Sequence, residues 1–165
     1  MIFATVGTHE DPFDRLCTEL ERLVSSGELA EPVHLQSGYS TVATPSCSVE
    51  RMMPFERVQA RMREARVVVT HGGPASIMQA LALGKVPVVV PRQARFGEHV
   101  DDHQVRFAAR IADRVLVVQD IAELGGALRE HADRVRNLGS NVGGPERAGA
   151  FALRLDELCA GLLCR

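Results

Sequence analysis

The chain has no tryptophan and a single tyrosine, Tyr39, among its 165 residues. With so few flat rings, a base-stacking nucleic-acid platform is not on offer. Lysine occurs once, at Lys85, and arginine fills every other basic position, a bias in keeping with GC-rich bacterial genomes. The formal net charge is −2, which gives no basic surface for a nucleic-acid backbone. The four cysteines, Cys17, Cys47, Cys159 and Cys164, make neither a CxxC pair nor a zinc spacing. They read as reduced thiols of a cytosolic protein. No run approaches the roughly 18 apolar residues of a membrane span. The start, MIFATVGTHEDPF, lacks the basic-then-apolar order of a signal peptide. Also absent are GxGxxG after a strand, GxxxxGK with Ser or Thr, and GxSxG. A standard dinucleotide fingerprint, a P-loop and a serine-hydrolase elbow go with them.

What is present is a folded α/β pattern. Apolar residues make up 45% of the chain, enough for a core without disulfides. Strands are expected at Ile2–Val6, Val33–Gln36, Ser48–Met52, Arg66–Thr70, Val86–Val90 and Val115–Val118. Val67-Val68-Val69 has the unbroken apolar character of a parallel strand covered on both faces. Between the strands lie helical patterns: Phe13, Leu16, Leu20 and Leu23; Pro54 to Glu64; the stretch after Pro74; a polar start at Gly97 running into a helix through Arg110; and Ile121 to His131. Asp11 and Pro12 read as cap and first turn of the first helix. A Gly-rich break at residues 139–145 precedes a last helix at about 146–163, whose Phe151, Leu155, Leu158 and Leu162 suit either its own core or a partner. The alternation implies one domain over 1–165: a Rossmann-like parallel sheet with helices on both faces. Because the first strand begins at the second residue, no domain is expected before it.

Ligands of such sheets bind beyond the carboxyl ends of the strands. Three loops are placed there: Gly7 to Pro12, Thr70 to Ser76, and Pro91 to Gln104. In THGGPASIMQ, with Gly73 as N-cap and Pro74 as first helical residue, the N–H groups of Ala75 and Ser76 have no intrahelical partner and no capping side chain. Phosphate suits that position, and the helix dipole adds to the attraction. A Gly-Gly-Pro turn also joins strand to helix in many folds without binding anything, so this turn alone leaves both readings open. Gln79, three residues from Ser76, shares its helix face. Gly7, Thr8 and His9 offer donors, a hydroxyl and an imidazole at the same sheet edge. In FGEHVDDHQ, His99 and His103 are four apart among Glu98, Asp101 and Asp102. That is either a zinc-like ligand set or a charged helix start, and the His-Glu-x-x-His form is missing. Arg92 and Arg95 are solvated or available to a diphosphate.

Taken together, Thr70-His71-Gly72-Gly73-Pro74-Ala75-Ser76-Ile77, Gly84-Lys85-Val86-Pro87, Val90-Pro91 and Asp102-His103-Gln104 resemble the donor-binding, C-terminal half of GT-B glycosyltransferases. The likeness is nearest to glycosyltransferase family 28, whose best-known member is MurG. With TVGTHEDPFDRL at the start, the chain resembles the PssE-type subunits of bacterial exopolysaccharide synthesis. Those are similar to the catalytic subunit of the eukaryotic two-subunit dolichol-linked GlcNAc transferase. The resemblance implies a UDP-sugar as donor substrate, no cofactor and no metal. It implies a membrane-associated, acceptor-binding partner subunit of PssD type, a lipid-linked acceptor, and a cytoplasmic place at the inner face of the membrane through that partner. Gly7, Thr8, His9, His71, Gly72, Gly73, Ala75 and Ser76 match the two diphosphate loops, with His9 and His71 as the catalytic candidates. Gln79 stands where relatives usually carry a ribose-holding Glu. Asp102, His103 and Gln104 match the motif that meets the transferred sugar. A non-catalytic scaffold or regulatory module of a polysaccharide machine is the alternative, and a metal-dependent hydrolase using His99 and His103 a third.

Overall fold

A computed structural model describes residues 1–138. The expected Gly-rich break and last helix, with Cys159 and Cys164, lie outside the described residues. Six parallel strands run in the order β3-β2-β1-β4-β5-β6: β1 Ile2–Thr5, β2 Val33–Gln36, β3 Ser48–Glu50, β4 Val67–His71, β5 Val88–Val90 and β6 Leu116–Val117. Strand order reverses between β1 and β4, and a doubly wound sheet opens its ligand crevice at such a reversal. In register, Thr5 sits beside Gln36 on one side and Thr70 on the other.

Alternation along the strands divides the core. Ile2, Ala4, Val67, Val69, Val88 and Val90 face α1 (Asp14–Ser25) and α5 (Leu124–Arg129), where Leu16, Leu20, Leu23, Leu124 and Leu128 meet them. Phe3 and Val68 face the other way, against Met62 of α2 (Phe55–Glu64) and Ala80 of α3 (Pro74–Ala82). Val89 packs with Ile77 and Leu81 of α3 and with Ala108 of α4 (His103–Arg110). The two-sided cover is what the valine runs require.

Two local expectations differ from the structure. Asp11 does not cap α1: the helix starts at Asp14 with Phe13 as its N-cap residue. The Asp11 N–H donates instead to His9 Nδ1, and the Phe13 N–H to Ser40 Oγ, so the segment is drawn into loop contacts. The helix expected from Ile121 to His131 is a 3-10 turn at Ile121–Glu123, then α5, then a further helix, α6 (His131–Asn137).

The two loops at the sheet's carboxyl edge are riveted by Arg92. It is fully buried, not solvated. Its Nη1 donates to the carbonyls of Asp11 (2.8 Å), Pro12 (3.3 Å) and Glu98 (3.0 Å), and its Nη2 to that of Val6 (2.9 Å). Phe13 lies under the guanidinium, 4.8 Å from ring centroid to Cζ. Beside it, Arg15 grips both carboxylate oxygens of Glu98, at 2.7 and 2.9 Å, and the Pro91 carbonyl. Arg92→Ala should lower the unfolding free energy by about 3–5 kcal/mol, because four carbonyls lose their shared donor inside the protein. Arg92→Lys should rescue little, since one ammonium cannot reproduce the planar fork. Urea denaturation of the three proteins measures both.

Candidate functional site

Between the ends of β1 and β4 lies a cleft of about 340 Å³. Thr5, Gly7, Thr8, Gln36, His71, Ala75, Ser76 and Gln79 form its polar part, and Met53, Phe55 and Val58 an apolar wall. The floor is knit together: Thr5 Oγ1 donates to Gln36 Oε1 at 2.5 Å and accepts from the Gly7 N–H at 3.2 Å.

His71 sets the shape of the two glycine turns. A Cβ built on Gly7 would stand 2.7 Å from His71 Nε2, and one on Gly73 would collide with the same atom. The imidazole is thus wedged between turns that only glycine allows to close on it. Gly7 also has φ +79°, a left-handed conformation that suits glycine. Gly72 has a different neighbour: a Cβ there would be 2.7 Å from the Cβ of Gln104.

The N-terminus of α3 opens onto this cleft. Gly73 is extended at ψ 125° and supplies no capping side chain, and Pro74 follows at the first helical position. The first intrahelical bond runs from the Ile77 N–H to the Gly73 carbonyl. The N–H groups of Ala75 and Ser76 therefore lack helical partners while their residues line the cleft. Two buried side-chain atoms of the lining also have no partner among the described residues: His71 Nδ1 and Gln79 Nε2. Burial, and then the charge of Arg92, push the His71 imidazole down to about 4, so it is neutral at pH 7.

Six of the expected donor residues line the cleft: Gly7, Thr8, His71, Ala75, Ser76 and Gln79. The others stand around it. Gly72 and Gly73 hold the turn. Gln104 is buried, and its Oε1 accepts from the Arg92 N–H. Asp102 Oδ1 accepts from the Ala94 N–H. His103 is exposed at the start of α4, its Nδ1 2.5 Å from Asp101 Oδ1. His9 is half-buried and stacks on His99, and the His99 ring meets His103 edge-on, each pair with centroids 4.4 Å apart. Burial and the neighbouring imidazoles lower the His99 pKa, while the His103 N–H and ring hold Asp101 down at about 2. His99 lies in the loop before α4, so its contact with His103 is made across the helix start and not along one helix face.

Sequence reasoning missed the apolar wall. Phe55 is 64% exposed, unusual for its type, but no periodic signal marks an exposed Phe as site-lining. Thr5 and Gln36 were read only as strand residues.

The glycosyltransferase family 28 C-terminal domain matches residues 1–138. Among solved structures, the glycosyltransferase of kitacinnamycin is similar at 22% identity and a TM-score of 0.60, over 93% of this chain and 42% of that one. CalG4, the calicheamicin glycosyltransferase, is similar at 17% identity and a TM-score of 0.54, over 93% and 41%. SnogD from Streptomyces nogalater aligns at 20% identity and a TM-score of 0.44, over 93% and 43%. No curated protein matches the chain. The chain spans about two fifths of the length of these solved structures. The fold corresponds to the C-terminal half of GT-B glycosyltransferases.

The neutral state of His71 has a consequence for stability. Its folded-state pKa of about 4 lies below the ordinary 6.5, so the unfolded chain takes up the proton first. The contribution is whole above about pH 6.5 and is lost as the pH falls toward 4, on the order of 3 kcal/mol across that window. Urea unfolding at stepped pH should show this slope, and His71→Asn should flatten it.

Proposed function

The chain belongs to the glycosyltransferase family 28 C-terminal domain family, and on that premise we propose that it is the donor-binding, catalytic subunit of a two-chain glycosyltransferase. The reaction is transfer of a sugar from a UDP-sugar to a lipid-linked acceptor in polysaccharide biosynthesis. One observation carries the reading. The uncapped N-terminus of α3 and the Gly7 turn face a single cleft at the strand-order reversal.

In this reading the diphosphate rests on the N–H groups of Ala75 and Ser76, where the helix dipole also favours negative charge. As the bond from the sugar's anomeric carbon to the diphosphate oxygen breaks, charge grows on the leaving group. Preorganised N–H donors are worth most at that moment, since they need no reorganisation. His71 is neutral in the free protein and donates one N–H bond to the same oxygens. The apolar wall of Met53, Phe55 and Val58 offers the flat base a surface, and Gln79 reaches the ribose with an amide in place of a carboxylate. The transferred sugar extends toward His9, Asp102, His103 and Gln104. No cofactor and no metal enter the transfer step. The group that deprotonates the acceptor hydroxyl comes from the acceptor-binding partner subunit, which also brings this chain to the inner face of the membrane. No helix of the described residues is long and apolar enough to cross a membrane.

UDP at a hundred times its dissociation constant should stabilise the fold by about 2.7 kcal/mol, read as a rise in melting temperature. Gly73→Ala should remove that rise, because the new methyl meets His71 and blocks the cradle. Transfer should need the partner chain. With the partner present, His71→Ala should cut the rate by about 10²-fold or more, as loss of an anion-stabilising donor does elsewhere. No rise with any nucleotide-sugar would overturn donor binding. Unimpaired transfer in both His9→Ala and His71→Ala would make the chain a non-catalytic module instead.

A further inference from the structure

Three imidazoles meet at the sheet edge beside the cleft, from the loop after β1, the loop after β5 and the start of α4, and the transfer reading gives no role to His99 or Asp101. We propose that His99, Asp101 and His103, with solvent in the fourth position, form a binding site for a divalent transition metal of the zinc class.

The geometry is close to a coordination sphere. One ligand atom each from His99, Asp101 and His103 lie within 4.8 Å of one another. Four ligands around zinc at 2.0–2.1 Å stand about 3.4 Å apart, so the set must contract by little more than an ångström. His9 arrives from the β1–α1 loop and stacks on His99 at 4.4 Å. His103 Nδ1 and Asp101 Oδ1 are hydrogen-bonded at 2.5 Å, and the ion replaces the proton between them as the pair opens.

The surroundings suit a metal site as well. Ligand carboxylates and imidazoles in metal sites are held by an outer layer of hydrogen bonds. Asp101 Oδ2 accepts from Arg106 at 2.9 Å, and His9 Nδ1 lies 3.5 Å from Asp11 Oδ2. Arg92 ties the Asp11 carbonyl, two residues from His9, to the Glu98 carbonyl, next to His99. The loop that bears His99 and the loop whose His9 ring lies against it are therefore fixed relative to each other before any ion arrives, which lowers the cost of assembling the sphere. Two imidazole nitrogens and one carboxylate oxygen favour zinc, cobalt or nickel over magnesium and calcium, which take oxygen ligands. His103 and its neighbours are open to solvent, so an ion can enter.

The test is a titration of the tag-free full chain with Co2+, followed in the visible absorption of the four-coordinate ion, with Zn2+ binding measured by calorimetry. One equivalent should bind in each case, and Mg2+ should not compete. His99→Ala and Asp101→Asn should each weaken zinc by about tenfold or more, whereas His34→Ala, on the far strand β2, should not. Should His99→Ala lower the metal-free melting temperature, His103→Gln at its exposed position carries the comparison. The proposal is overturned if the parent chain binds no stoichiometric zinc, or if the affinity is unchanged in the variants. It is equally overturned if binding is lost in His71→Ala while His99→Ala retains it. The site shares His103 with the sugar-facing group of the glycosyltransferase reading, but because the readout is metal binding and not transfer, failure of one is distinguishable from failure of the other.

Discussion

A buried guanidinium organises the functional edge of this domain. Burying a charge is costly unless its hydrogen bonds are replaced, and Arg92 replaces them with four backbone carbonyls and an aromatic face. Those carbonyls come from the loop after β1 and the loop after β5, which sit on opposite sides of the strand-order reversal. Loops are ordinarily the mobile parts of such a fold. Here two of them share one cation, and Arg15 closes a second clasp on Glu98. The Glu98 side chain also accepts from the Gln93 N–H, so the turn after β5 is fixed from within. The mouth of the cleft is therefore held from one side by buried side-chain bonds that cross from loop to loop.

The opposite side is held by shape. His71 ends β4 and projects between two turns whose glycines leave room for nothing larger. The same wedge gives the cleft its chemistry. A ring in that position is desolvated and beside a cation, so it stays neutral and brings an N–H without a charge of its own. Attraction for an anion then comes from the peptide dipoles of α3. Backbone donors cannot be titrated away, so the cradle keeps its polarity across the pH range in which the imidazole changes state.

The parallel sheet and its two-sided cover were legible because valine runs and Gly-Gly-Pro punctuation report local geometry directly. Gly73, Pro74 and Ser76 belong to one continuous turn, so sequence spacing fixes their arrangement. Arg92 was read as solvated or diphosphate-facing, and nothing local contradicts that: its partners lie as far as 86 residues away in the chain. The same limit hid Met53, Phe55 and Val58, which join the cleft only when α2 packs beside α3. Asp11-Pro12 has the composition of a helix start, yet tertiary bonds from His9 and Ser40 take up the segment first. Gly125-Gly126 interrupts the helical pattern expected from Ile121 to His131. The structure gives Gly125 a packing reason, since a Cβ would stand 2.8 Å from Leu23 Cδ2 of α1.

The four buried side-chain atoms left without partners among the described residues divide evenly: Arg15 Nη1 and Arg92 Nε in the clasp, His71 Nδ1 and Gln79 Nε2 in the cleft. The clasp tolerates its two because each guanidinium makes several other bonds, and the charge is compensated by Glu98 and the carbonyls. The cleft pair has less: the His71 ring has only a contact with the Thr5 backbone, and Gln79 Nε2 has none. A buried polar atom with no partner costs about 1–3 kcal/mol, a cost that water or a ligand acceptor removes. Gln79 can offer its amide N–H groups to hydroxyl oxygens, which a carboxylate in its place could only accept from. Any acceptor that reaches either atom, water or ligand, removes that cost, so the polar part of the cleft favours occupants that bring oxygen to it.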